Sequence, residues 1–306
     1  MMFYPGKVWN DTEGNPIQAH GGGVLYHEGV YYWYGENKAG PTAPGGWQRV
    51  DVIGVSCYSS RDLTNWKNEG VVLKAVPDDP GHDLHPSKVA ERPKVIYNEK
   101  DRRFVMWLHI DEANYAKAMT GVAVSDSPVG PFTFLRAFRP NGNDSRDMTI
   151  FQDDDGAAYL VHSSDWNKTT IVARLTGDYL DTTGDFTRAF VDQSREGQAV
   201  MKREGVYYMF SSGCTGWNPN PTLYAASNAI MGRWELKDNP CVGPGARDTY
   251  GSQSTYVIKV RGEADRYILM LDRWNPQNLS DSRYVWLPIS FEGGRMSIPW
   301  QDAWEL

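Results

Sequence analysis

A five-bladed β-propeller with four-stranded blades is the all-β fold class this sequence predicts, and three observations predict it. One pattern of four short strands recurs five times along the chain. The chain holds 12 Trp, 17 Tyr and 10 Phe in 306 residues, interrupted by 30 Gly and 18 Pro. Aromatic residues favour strands, and Gly and Pro favour the tight turns between them. Successive third strands start 67, 50, 52 and 62 residues apart, a spacing that fits four strands plus decorated loops. No linker or low-complexity stretch divides the chain, so residues 1–306 are expected to form one propeller domain. A sandwich or a β-helix is the alternative all-β arrangement.

The elements follow in order. In the first unit His20-Gly21-Gly22-Gly23 opens the innermost strand and His27-Glu28-Gly29 turns it. The second strand is 30–35, the third 54–58, and the fourth lies near 66–72. The second unit turns at Asn98-Glu99-Lys100-Asp101, with later strands at 103–108, 121–125 and 132–138. The third turns at Asp153-Asp154-Asp155-Gly156, with strands at 157–161, 171–175 and 186–191. The fourth turns at Arg203-Glu204-Gly205, with strands at 206–210, 223–227 and 234–236. The fifth turns at Arg261-Gly262-Glu263, with strands at 266–270, 285–289 and 296–298. Polar turns between β-rich runs are hairpin signals. Pro/Gly-rich loops at 39–46, 76–87 and 217–221 are expected to decorate one face. Residues 300–304 are expected to pack against the start of the chain around Trp9.

Composition excludes several functions. A net charge of −7 with no basic stripe argues against nucleic acid. No apolar run reaches the roughly 20 residues of a membrane helix. Cys57, Cys214 and Cys241 are far apart, odd in number and outside any CxxC spacing, so neither a disulfide framework nor a zinc site is expected. The six histidines form no HExxH pattern, and His82 and His85 lie in a loop; no metal and no cofactor is expected. The first residues lack the basic and apolar regions of a signal peptide, which favours a cytoplasmic address unless a leader was removed.

Innermost strands line the axis of a propeller, so a polar residue opening each of them points into one shared funnel. Counting back from the hairpin turns places His20, Glu91, Asp147, Glu196 and Gln253 there. Three are carboxylates. Like charges brought together raise at least one pKa, which suits a site needing a protonated acid beside an ionised group. The alternative is that each carboxylate pairs with its chain neighbour: Arg92, Arg146 or Arg195. Trp33, Trp107, Tyr115, Trp166, Trp217 and Trp274 fall near blade ends or in loops. Carboxylates with aromatic platforms point to an oligosaccharide or polysaccharide partner.

Two segments carry a family resemblance. Asp147-Met148-Thr149-Ile150-Phe151-Gln152-Asp153-Asp154-Asp155-Gly156 with Tyr159-Leu160, and Glu196-Gly197 with Tyr207-Tyr208-Met209-Phe210-Ser211-Ser212, resemble glycoside hydrolase family 43. The resemblance runs over nearly the whole chain. It implies a five-bladed catalytic propeller in which Glu196 is the general acid and Asp147 modulates its pKa. The family usually places a general-base Asp on the first strand of blade one, where this chain has Ala19-His20-Gly21-Gly22-Gly23. That departure, with Glu91-Arg92-Pro93 and Gly251-Ser252-Gln253-Ser254, is similar to the exo-β-1,3-galactanase branch. The branch implies release of galactose from the β-1,3-galactan of arabinogalactan with inversion. Gln253 would position the water, through an imidic-acid tautomer if it also takes the proton, and His20 is the competing base. Glu91 would bind hydroxyls and set the electrostatics. Glu36, Arg92, Tyr115, Asn167 and Thr215 are the further substrate-binding candidates. Some members hold a structural ion on the axis near a last-blade histidine; Gln253 stands in that neighbourhood here, and no ion is expected. The alternatives are an α-L-arabinofuranosidase, a β-xylosidase, or a non-catalytic sugar-binding propeller.

Overall fold

The computed structural model describes residues 2–43, 48–263 and 265–306; part of the loop expected at 39–46 lies outside them. Five antiparallel sheets are arranged as the repeat predicts. Blade 1 is His20–His27, Val30–Glu36, Gly54–Ser60 and Lys67–Lys74. Blade 2 is Val89–Asn98, Arg103–Asp111, Met119–Ser125 and Thr133–Phe138. Blade 3 is Met148–Gln152, Ala158–Ser164, Thr169–Leu175 and Thr182–Ala189. Blade 4 is Arg195–Arg203, Val206–Gly213, Leu223–Ser227 and the two-residue Glu235–Leu236. Blade 5 is Gln253–Lys259, Tyr267–Arg273, Arg283–Glu292 and Arg295–Pro299. Its outer edge gains a parallel strand, Cys241–Val242.

Each blade is one unbroken stretch of chain, so no blade is shared between the two ends. The seams hold the ring together. Separate apolar clusters fill the interfaces between blades 1 and 2, 2 and 3, and 3 and 4. The seam where blade 5 meets blade 1 carries the aromatics. Trp33 lies 4.7 Å from Trp286 and 5.3 Å from Trp66, edge to face or tilted, arrangements that ring quadrupoles favour. Met2–Phe3 pairs with Trp304–Glu305 in a two-stranded ribbon. Phe3 stacks on Trp304 at 4.2 Å, and Trp9 packs against Phe3 and Trp286. Trp33 and Trp107, which the sequence placed near blade ends, are fully buried core residues. Replacing Trp304 with Ala is expected to cost about 3 kcal/mol, the usual penalty for emptying a buried aromatic site. Calorimetry checks this, and an unchanged Tm would mean that the ribbon does not secure the seam.

Four of the five innermost strands share a local device. The ladder slips at Glu91/Lys94 in blade 2, at Glu196/Ala199 in blade 4, at His20/Gly23 in blade 1 and at Ser254/Tyr256 in blade 5. In the first three, the residue after the funnel position is left-handed: Arg92 (φ 55), Gly197 (φ 63) and Gly21 (φ 58). Such bulges re-aim side chains at a strand end. A Cβ on Gly197 would lie 2.9 Å from the Ser254 carbonyl oxygen, so glycine there also permits the close approach of blade 5. Beneath this level, the Lys94 ammonium sits on the axis with 1 % exposure. It donates to the carbonyls of Gly21 and Arg92 and to Thr255 Oγ1, tying blades 1, 2 and 5.

Candidate active site

The funnel ends in a cavity of about 380 Å³. Glu91, Asp147, Glu196 and Gln253 all line it, as do Glu36, Arg92, Tyr115 and Asn167. Two expected residues stand apart. His20 is completely buried, stacked on Tyr284 at 5.0 Å, with Nε2 3.2 Å from Gln18 Oε1; it does not line the cavity and is not placed to take a proton from a water there. Thr215 is turned into its own loop, donating to the Asn218 carbonyl and accepting from Asn220 Nδ2. Its neighbours Cys214 and Gly216 line the cavity instead.

The carboxylates do not pair with their chain neighbours. Arg146 holds Asp144, and Arg195 turns to Ser211. Arg92 reaches across from blade 2 to blade 3 and grips Asp147 with two nitrogens, at 3.1 and 2.8 Å. A third donor on Asp147 is the Gly197 N–H at 2.9 Å. Such a bidentate, charge-assisted contact fixes both position and charge. Glu196 accepts from Gln253 Nε2 and from Asn167 Nδ2, each at 3.1 Å. Burial, and then the nearby Asp147 charge, push the Glu196 carboxyl up to about 7. Glu196 therefore holds its proton at near-neutral pH, where an ordinary surface glutamate is ionised.

Gln253 has all four amide bonds engaged. Oε1 accepts from Arg92 Nη2 at 2.5 Å and from Trp274 Nε1 at 3.3 Å; Nε2 donates to Glu196 and to Ser212 Oγ at 3.0 Å. Guanidinium and indole N–H groups only donate, so the amide orientation is set by its partners. The same partners disfavour the imidic tautomer, whose O–H would face two donors. A water reaching Oε1 displaces the longest of these bonds, that of Trp274.

Glu91 belongs to a chain of alternating charge. Its Oε1 accepts from the Tyr115 hydroxyl at 2.9 Å, and its Oε2 lies 3.5 Å from His109 Nδ1. The other nitrogen of His109 is 2.9 Å from Asp111 Oδ2. Burial alone would raise Glu91, but the His109 hydrogen bond and the Lys38 charge hold it down at about 2. Against the opposing effect of burial, Asp111 and then Glu91 lift His109 to about 9. Glu36 is pushed up by burial, against the pull of Lys38 2.8 Å away; it also accepts the Arg92 backbone N–H. The floor is thus built from closely paired charges, and the rim is aromatic: Trp166, Trp217 and Trp274.

Lys38, His109 and Arg146 line the cavity without a signal in the innermost strands. His109 and Glu36 stand directly across the ladder from Glu91 and His20. Glu36 is already expected from the family resemblance; extending the repeat register to the end of the second strand of blade 2 would have found His109 as well. Glu91, His109 and Asp147 have donor atoms close enough together to surround a small cation. Arg92 already neutralises Asp147 there, which does not suit a second cation.

The Glycosyl hydrolases family 43 profile matches residues 15–278. A family 43 β-1,3-galactosidase solved with galactodeoxynojirimycin is 41 % identical, with a TM-score of 0.93 over 99 % of this chain and 100 % of that one. An exo-β-1,3-galactanase from Phanerochaete chrysosporium, solved as a variant with β-1,3-galactotriose, is 36 % identical. Its TM-score is 0.91 over 100 % of this chain and 68 % of that one. A β-D-galactofuranosidase of Aspergillus niger is 28 % identical over 205 residues, and the match spans 58 % of that protein's length.

Proposed function

Since the chain belongs to glycosyl hydrolases family 43, we propose that it is an inverting exo-β-1,3-galactanase, taking galactose from the non-reducing end of β-1,3-galactan. The observation that carries the reading is Glu196 bonded to the Gln253 amide in the cavity that Asp147 also lines, in a chain whose first blade offers no carboxylate at the family's base position. Its likeness to β-1,3-galactan-cleaving propellers over essentially the whole chain supports the substrate.

Glu196 gives its proton to the glycosidic oxygen as the bond to the anomeric carbon breaks. Gln253 Oε1, polarised by Arg92, holds the incoming water on the opposite side of the sugar. Inversion needs room for that water, and the direct Gln253–Glu196 bond opens when a sugar enters between them. The attacking water's surplus proton passes to bulk water as the C–O bond forms, and Glu196 takes a proton back from solvent after the products leave, so the reaction is proton-neutral overall. Asp147 keeps Glu196 protonated until it is needed. Glu91, fixed and ionised, accepts from sugar hydroxyls. Glu36, Lys38 and Arg92 close the cavity floor, which limits attack to a chain end.

Galactose release from β-1,3-galactobiose and galactotriose, followed by NMR of the first-formed anomer, tests this. α-Galactose is expected first. Gln253→Ala is expected to lower kcat by about 10²-fold or more, the scale of a lost positioning group, with the sugar still bound. β-Galactose first, or arabinose or xylose freed instead, would overturn the assignment.

A further inference from the structure

The loop joining the second and third strands of blade 3 is unlike the other hairpins. Asp165, Trp166 and Asn167 are left-handed in succession, at φ 53, 54 and 62. Asp and Asn tolerate this region, whereas a bulky residue such as Trp does so at a cost. Trp166 is also 65 % exposed, an expensive place for a large apolar ring. Asp144 enforces the conformation. One of its oxygens accepts from Ser164 Oγ and the Asp165 N–H, the other from the Trp166 N–H and Arg146. Arg146, anchored again by the Tyr115 carbonyl, lies 4.1 Å from the Trp166 ring centre. The guanidinium supports the ring from one side, a favourable cation–π geometry, and leaves the rest of the ring open at the cavity rim.

The next residue, Asn167, donates to Glu196, and its Oδ1 is buried without a partner. Across the rim, Trp217 Nε1 is likewise buried and unpartnered. One acceptor and one donor thus stand unused on residues that line the cavity.

We propose that Trp166, stacked on Arg146, is the platform for the galactosyl unit that leaves with the protonated oxygen, with Asn167 Oδ1 and Trp217 Nε1 taking up its hydroxyls. The inference rests on the galactanase reading above. The axial 4-hydroxyl of galactose leaves the opposite face of the sugar rich in C–H groups, and that face lies on the indole. The same short loop that grips the leaving sugar therefore holds the acid that protonates it.

The test is Trp166→Gly, because glycine accepts φ near +54° without strain. A purely structural tryptophan would lower Tm on removal, whereas a platform held under strain would not. Kinetics are read on β-1,3-galactotriose and on β-galactosyl fluoride, whose leaving group is a single atom. The ratio of kcat/KM on the triose to that on the fluoride is expected to fall at least tenfold. Binding of the triose to Glu196→Gln is expected to weaken similarly when Trp166→Gly is added. An unchanged ratio, or an equal loss on both substrates, overturns the platform while the galactanase reading stands. A wild-type protein that neither binds nor splits β-1,3-galactosides overturns both.

Discussion

Glu196→Gln is expected to slow hydrolysis of β-1,3-galactooligosaccharides by about 10³-fold, within the range that general acid catalysis supplies. The loss should be far smaller on 2,4-dinitrophenyl β-galactoside, whose phenolate departs without a proton. A comparable loss on both would mean that Glu196 does not act as the acid. The wild-type profile should follow the same group. Activity requires the protonated carboxyl, held at about 7, so kcat/KM should fall as pH rises through 7. Stability carries the same sign. The folded-state value lies above the unfolded one, so the contribution is complete below about pH 4.5 and is lost as pH rises through 7. Glutamine removes that loss. At roughly 1.4 kcal/mol per pKa unit, discounted for partial solvent screening, Glu196→Gln should be about 1–2 kcal/mol more stable than wild type at pH 8. The two should be indistinguishable near pH 4 in denaturant titrations.

Arg92→Met is expected to be damaging in two separable ways. The guanidinium holds Asp147 with two nitrogens and Gln253 Oε1 with one, and it donates to the Ser254 carbonyl. Its removal leaves the half-buried Asp147 short of a counter-charge, a loss of about 2–3 kcal/mol, below the full penalty for breaking a buried pair. It also frees the amide that orients the water, so kcat should fall by about 10²-fold or more. Arg92 lowers Glu196 in the wild type, so residual activity should extend to higher pH. Arg92→Lys separates charge from geometry: one ammonium cannot span both partners. Restored stability without restored kcat is the expected result, and full activity in the lysine variant would sink the positioning role.

The funnel positions were legible because a propeller repeats its register. Glu91, Asp147, Glu196 and Gln253 sit six to eight residues before their hairpin turns, and all four line one cavity. The pairing between them was not legible. Chain neighbours such as Arg146 and Arg195 are natural counter-ions by sequence, yet successive side chains of an extended backbone point to opposite sides, and Asp147 finds its cation one blade away. His20 shares the register but not the exposure. The glycines behind it leave room for the Lys94 side chain and for the facing strand of blade 1: a Cβ at Gly23 would lie 2.7 Å from Lys94 Cδ, and one at Gly22 would overlap the Tyr34 carbonyl oxygen. His109 escaped notice because it sits at the far end of a second strand, opposite Glu91. Trp33 and Trp107 were indistinguishable in sequence from rim tryptophans; which ones emerge depends on seam packing, not on local pattern.

Because Met2 pairs with Glu305 and every blade is a contiguous stretch, the blade at which the chain starts is decoupled from the order of blades around the ring. A circular permutant begun at the exposed Gly205 turn, with a short linker from 305 to 2, would trace the same five sheets in the same cyclic succession. Its new ends would emerge at hairpin turns, on the face opposite the cavity. The neighbour relations among seams are what the molecule must preserve, and the point at which synthesis starts is free to move.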